Sequence, residues 1–190
     1  MQVRSPVLNA AAWMMGTIVS FIAMMVAARE LKSAGISTFE VLTFRSLVAL
    51  LILLPLVPIR GVGAFATRRF GFHLLRNTVH FGGQFGWVYG IALLPLATVS
   101  ALEFSTPVWI AVLAVVFLGE RMTLHRALAT GLGFVGALVI LRPGVAVVDG
   151  ASLVVLACTF CYAASNIMVK PLTRTESALV IVFYMQVIQL

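Results

Sequence analysis

An all-α integral membrane protein, a polytopic helical bundle, is what this sequence predicts, and three observations carry that prediction. Hydrophobic residues make up 62% of the 190 positions and charged residues only 10%. Apolar runs of membrane-spanning length recur along the chain, and a hydrocarbon core about 30 Å thick needs about 20 such residues per helix. The basic residues fall in the gaps between those runs. A soluble domain of this length, with a mean hydropathy of +1.10, would not need so many uncharged segments.

The spans follow in order as residues 8–28, 38–59, 72–94, 98–118, 123–141 and 152–169, with a seventh starting near Ser177 and still running at Leu190. Arg4 ahead of the first run gives it the look of a signal peptide. The run is long enough to span, however, and no small-residue cleavage pattern follows, so it reads as a retained helix. The loops are short, PLA at residues 95–97 and GER at 119–121 among the tightest. Short connections set consecutive helices side by side and antiparallel.

A net charge of +7 and a pI near 10.5 raise the question of nucleic-acid binding. The positions of the charges answer it. Arg4, Arg60, Arg68, Arg69, Arg121, Arg126, Lys170 and Arg174 lie on the side shared with the N-terminus, and only Arg29, Lys32 and Arg142 on the other. That is the positive-inside bias, with the N-terminus cytoplasmic. The basic excess is a topology signal, and no nucleic-acid partner is expected.

Enzyme and cofactor signatures are missing. CTFC, with Cys158 and Cys161, lies within the sixth span without a second pair, so packing fits better than zinc or redox chemistry. GLGFVG at residues 131–136 spells a dinucleotide fingerprint, but its glycines fall in mid-helix, with no strand ahead of them. With Ala127, Ala129 and Ala137 they give small-xxx-small spacing, suited to close helix contact. There is no phosphate-binding GxxxxGK[ST] loop, HExxH, nucleophile elbow or pair of carboxylates. No catalytic residue, metal or cofactor is expected.

The chemistry gathers instead in the third span, where residues 76–90 read RNTVHFGGQFGWVYG. At about 100° per residue, Arg76, His80, Gln84 and Trp87 share one narrow stripe. Gly82, Gly86 and Gly90 make a second stripe, expected to pack against a neighbouring helix. Polar atoms in lipid must face protein or water, so His80, Gln84 and Trp87 are expected to line a solvated hollow. Arg76, close to the cytoplasmic end, either lines it too or snorkels to the headgroups.

Arg45 and Glu103 sit at similar depth below the outer surface and are expected to form an ion pair or gate. Such a pair either fixes helix packing or breaks and reforms between states; alternatively, Arg45 alone snorkels outward. Pro107 frees a backbone carbonyl in the fourth span and should kink it. Tyr162, Asn166 and Lys170 recur every four residues in the sixth span. The first two are cavity candidates and Lys170 an interface anchor. Trp13 and Trp109 fit either a cavity or the aromatic belts.

Two longer-range patterns add to this. A shift of 141 residues lays Phe21 on Tyr162, Arg29 on Lys170, Leu31 on Leu172 and Arg45 on Gln186. It equals five spans, an odd number, so a second copy would insert upside down. The run TVSALEFSTPVWIAVLAVVFLGERMTLHRALATGLGFVGALVILRPG, residues 98–144, resembles the EamA repeat of the drug/metabolite transporter superfamily. The resemblance rests on Pro107, LGERMT at the fourth-to-fifth turn, and a glycine-rich fifth helix ending in RPG. FRSLVALLILLP, residues 44–55, resembles that repeat's second helix.

The resemblance implies a ten-helix carrier of two inverted five-helix repeats around a central cavity. Residues 1–145 would be the first repeat and 146–190 the start of the second, the chain being a piece of a longer protein. The expected function is secondary transport of a small organic metabolite or drug-like solute by alternating access across a bacterial-type cytoplasmic membrane. Proton coupling through Glu103 or His80 is part of that expectation. A channel, or a non-transporting assembly protein with structural polar contacts, is the alternative.

Overall fold

The computed structural model describes residues 6–141 and 150–190, and the described residues are helical with no strand. Arg4, and Arg142 with the rest of the RPG end of the fifth span, lie outside them. The helices are α1 (Pro6–Ser33), α2 (Thr38–Leu53), α3 (Leu56–Arg60), α4 (Phe70–Leu93), α5 (Leu96–Glu103), α6 (Thr106–Leu118), α7 (Leu124–Leu141), α8 (Gly150–Leu172) and α9 (Ala178–Gln189), with a 3₁₀ turn at Val62–Phe65. Three segments, Val7–Ser33, Leu96–Leu118 and Gly150–Leu172, are long and apolar enough to cross a membrane. With its 24 residues α4 reaches about 36 Å at 1.5 Å per residue, but its polar side chains lower its hydropathy. The large hydrophobic side chains left exposed on α1, α2, α6 and α7 suit a lipid surround.

Local signals set the boundaries. Ser37 and Glu40 form a capping box at the start of α2: the Ser37 hydroxyl accepts from the Glu40 N–H, and the Glu40 carboxylate from the Ser37 N–H. Ser37→Ala should destabilise α2 by about 1 kcal/mol, measured as a lower melting temperature, whereas Ser37→Thr or Ser37→Asp should change little. Gly119 ends α6 in the left-handed region at φ 63°, where a side chain would be strained. The expected kink in the fourth span is a break between α5 and α6. Pro107 lies in the first turn of α6, and the Ser105 and Thr159 hydroxyls bond at 2.9 Å, fastening the break to α8.

At the centre stands α4, touched by α1, α2, α8 and α9 and most extensively by α8. The glycine face works, in a corrected register. Gly82 has nothing near it, whereas Cβ atoms added at Gly83, Gly86 and Gly90 would meet Tyr162, Cys158 and Val155 of α8. Steps of four drift by about 40° each on a helix with 3.6 residues per turn, whereas the 3–4 spacing of 83, 86 and 90 holds one face. Cys158 accordingly acts as a small packing residue, bonded through Sγ to the Val154 carbonyl. The α7 glycines do not follow expectation: Gly131, Gly133 and Gly136 have no neighbour within 4 Å of an added Cβ. The core, including Met25, Leu42, Trp87, Val88, Ile91, Val99, Leu102 and Val155, gathers α1, α2, α5 and α8 around the second half of α4.

Candidate functional site

The polar stripe of α4 meets side chains from five other helices. His80 sits edge-on to Tyr162 of α8, ring centroids 5.4 Å apart, and its Nδ1 lies 3.1 Å from Gln189 Nε2 of α9. Gln84 and Trp87 are buried, at 3% and 4% exposure, and Trp87 rests against Phe21 of α1 with centroids 5.6 Å apart. Glu103, ending α5, lies beside the Trp87 indole and within electrostatic reach of Tyr162. Arg45 of α2 approaches the same tyrosine and His80. Six of the seven expected site residues therefore converge on one aromatic and polar cluster with Tyr162 near its middle.

Several of its polar atoms lack protein partners. Arg45 Nη2, Gln84 Oε1 and Trp87 Nε1 are buried without a hydrogen bond; the indole N–H is near Glu103 but outside bonding geometry. Buried polar groups are normally satisfied, so three orphans in one cluster mark a place suited to water or a polar solute.

The structure also corrects the expectations. Asn166 is exposed on α8, apart from the cluster. Arg45 and Glu103 do not form an ion pair; among the described residues the pairs are His73–Glu176 and Lys170–Glu120. Tyr162 stands in the electrostatic reach of both. Arg76 does not snorkel: it is 6% exposed, and its Nη1 donates to Asn77 Oδ1 at 2.8 Å. Lys170 stays at the rim, paired with Glu120.

Two grooves open beside the described helices. A groove of about 310 Å³ runs between α2, α4 and α9, lined by Phe39, Thr43, Asn77, Phe81 and Gln189 among others. A second, of about 510 Å³, lies along α1 over Trp13, Thr17, Phe21 and Met24. Neither is lined by His80, Gln84, Trp87 or Tyr162. His80 comes near the first through Gln189 and Trp87 near the second through Phe21, while Gln84 is buried on the arc of α4 turned toward its neighbouring helices.

Four polar residues escaped the sequence reading. His73 and Asn77 extend the α4 stripe, and a 4–3–4–3 spacing through 73, 77, 80, 84 and 87 would have revealed them. Gln189 donates to the Asn77 carbonyl at 3.4 Å. Glu176, in the α8–α9 turn, gave no periodic signal at all.

A bundle of apolar helices wrapped around one polar central helix defines a multi-pass membrane protein; among the described residues no group of three His, Cys, Asp or Glu side chains is placed to hold a metal ion. Residues 8–142 match the EamA-like transporter family, and the chain belongs to it; that family comprises transporters and not enzymes. The chain is similar to an S-adenosylmethionine uptake transporter of Rickettsia bellii, 31% identical over 151 residues covering 80% of this chain and 52% of the relative. It is also similar to a riboflavin transporter of Brucella anthropi, 32% identical over 81% of this chain and 54% of the relative. A riboflavin transporter of Vibrio cholerae is 28% identical over 97% of this chain and 63% of its own length. The chain thus spans about half the length of the first of these relatives. No solved structure matches it.

Proposed function

We propose that these helices form one half of a secondary carrier for small organic metabolites in a bacterial cytoplasmic membrane, N-terminus inside, working by alternating access. The observation that carries this reading is the cluster of Arg45, His80, Gln84, Trp87, Glu103 and Tyr162, with three buried polar atoms unpartnered, in a chain of a transporter family. Ionisable and polar groups held inside a membrane bundle are retained for solute or ion pathways. Residues 1–145 are the first five-helix repeat and residues 146–190 open an inverted second. The packing supports that division: the 141-residue shift pairs α1 with α8 and α2 with α9, and all four surround α4.

The solute class is a planar nitrogen heterocycle bearing polar groups, the chemistry that S-adenosylmethionine and riboflavin share. Trp87 and Tyr162 offer flat faces for stacking, Gln84 and His80 offer hydrogen bonds, and Arg45 and Glu103 act as a gate closing across Tyr162. Asn166 contributes from α8 when that face is turned inward, and a proton is coupled through Glu103 or His80.

Uptake by the full-length protein in proteoliposomes tests this. Gln84→Leu and His80→Leu should each lower uptake roughly tenfold, the scale of one lost buried hydrogen bond, with normal membrane insertion. Unchanged uptake would remove these residues from the solute path. Counterflow of labelled solute distinguishes a carrier from a channel, and uptake indifferent to a pH gradient would exclude proton coupling.

A further inference from the structure

Two loops far apart in sequence are fastened together on the Lys/Arg-rich face. The connection leading into α4 meets the turn between α8 and α9. Glu176 Oε1 accepts from the Thr67 hydroxyl, and Glu176 Oε2 lies 2.5 Å from His73 Nε2. Thr67 Oγ1 accepts the Arg69 N–H at 2.9 Å, which leaves its proton free to point at the carboxylate. Arg69 Nη1 donates to the Pro171 carbonyl at 3.1 Å. Below His73, the Tyr184 ring stacks at 4.8 Å, and its hydroxyl donates to the Phe65 carbonyl at 3.0 Å. Phe65 in turn meets Phe183 with centroids 5.0 Å apart.

We propose that this cluster, centred on Thr67, His73 and Glu176, is a gate latch: closed here, it seals the Lys/Arg-rich face of the membrane domain, and it opens when the carrier turns its solute site toward that side. Simple structural glue would not need buried charge, because an apolar contact of similar volume stabilises as well or better. What a buried, hydrogen-bonded carboxylate adds is one defined arrangement that can be exchanged for hydration. Glu176 is suited to that exchange, since it sits in a loop at the aqueous boundary and is 8% exposed. The latch also joins the right parts. His73 begins α4 of the first repeat, whereas Glu176 separates the first two helices of the second. Rocking of one repeat against the other must part such ties. The exposed Lys170–Glu120 pair bridges α8 and the α6–α7 turn on the same face.

The proposal rests on the carrier reading, and its test keeps the two apart. In the full-length protein with Cys158→Ala and Cys161→Ala, Ile181→Cys places a thiol at a 4% exposed position in the first turn of α9. A membrane-impermeant methanethiosulfonate is applied to either face of sealed vesicles. Glu176→Gln should raise labelling from the Lys/Arg-rich face roughly tenfold, the effect of weakening a hydrogen bond to a charged group. His73→Gln should do the same and serves if the first variant fails to insert. An unchanged rate in a correctly inserted variant overturns the latch, whatever the transport activity. Faster labelling in a protein that moves no solute keeps the latch and sinks the carrier reading. In a second arm, a disulfide between Phe65→Cys and Phe183→Cys should stop uptake and release it on reduction. Undiminished uptake with the bond formed would overturn the latch.

Discussion

Gly90→Ala should lower the melting temperature of the detergent-solubilised protein, and adding Val155→Ala should restore most of the loss. A Cβ at Gly90 would lie 2.1 Å from Val155 Cγ2 but 3.6 Å from Val155 Cβ. The first distance is far inside van der Waals contact and the second is ordinary contact. Val155 cannot turn its methyl aside at little cost, since β-branched side chains in helices hold one χ1 rotamer and this one is fully buried. Overpacking of this kind costs about 1–3 kcal/mol, enough to outweigh the roughly 0.5–1 kcal/mol that Ala gains over Gly inside a helix. Gly82→Ala supplies the control: nothing lies within 4 Å of its added Cβ, so the propensity gain should stand alone and raise stability slightly. If Gly90→Ala and Gly82→Ala behaved alike, the close α4–α8 contact would be refuted.

That contact shows what a sequence of this kind discloses. Helix existence was legible because bilayer thickness imposes a length that few soluble helices share, and the unusual composition of α4 was legible because glycine and amide side chains stand out against leucine. Register was harder. Residues 82, 86 and 90 and residues 83, 86 and 90 differ by one glycine, and only the position of α8 decides between them. The cluster around Tyr162 could be anticipated in membership, since polar residues inside spans have few permitted surroundings. Its geometry could not. Equal depth allowed an Arg45–Glu103 pair, but depth says nothing of azimuth, and the structure sets Tyr162 in reach of both charges. Asn166 lies apart from the cluster for the same reason: its four-residue spacing from Tyr162 rotates it about 40° around α8, and it is exposed. Glu176 was invisible because a loop carboxylate among TRTES residues has no period to betray its burial.

The second large effect concerns that carboxylate. His73→Ala should destabilise the protein by about 3–5 kcal/mol, the cost of leaving one member of a buried pair without the other. His73 is fully buried and Glu176 nearly so. Without the imidazole, Glu176 retains, among the described residues, only the Thr67 hydroxyl as a side-chain donor. Glu176→Ala should cost a comparable amount, because His73 Nε2 then loses its acceptor while its Nδ1 is already without a partner. The double variant His73→Ala with Glu176→Ala should lose much less than the two single losses added together. Replacing both partners with apolar groups removes the desolvation penalty along with the attraction. Denaturation of the four proteins in one detergent measures the coupling directly. Strictly additive losses would show that His73 and Glu176 act independently despite their 2.5 Å approach. Strong coupling would show a unit whose two ends are worth little apart, the energetic form a latch requires: stable when engaged, and released as a whole when water takes both partners.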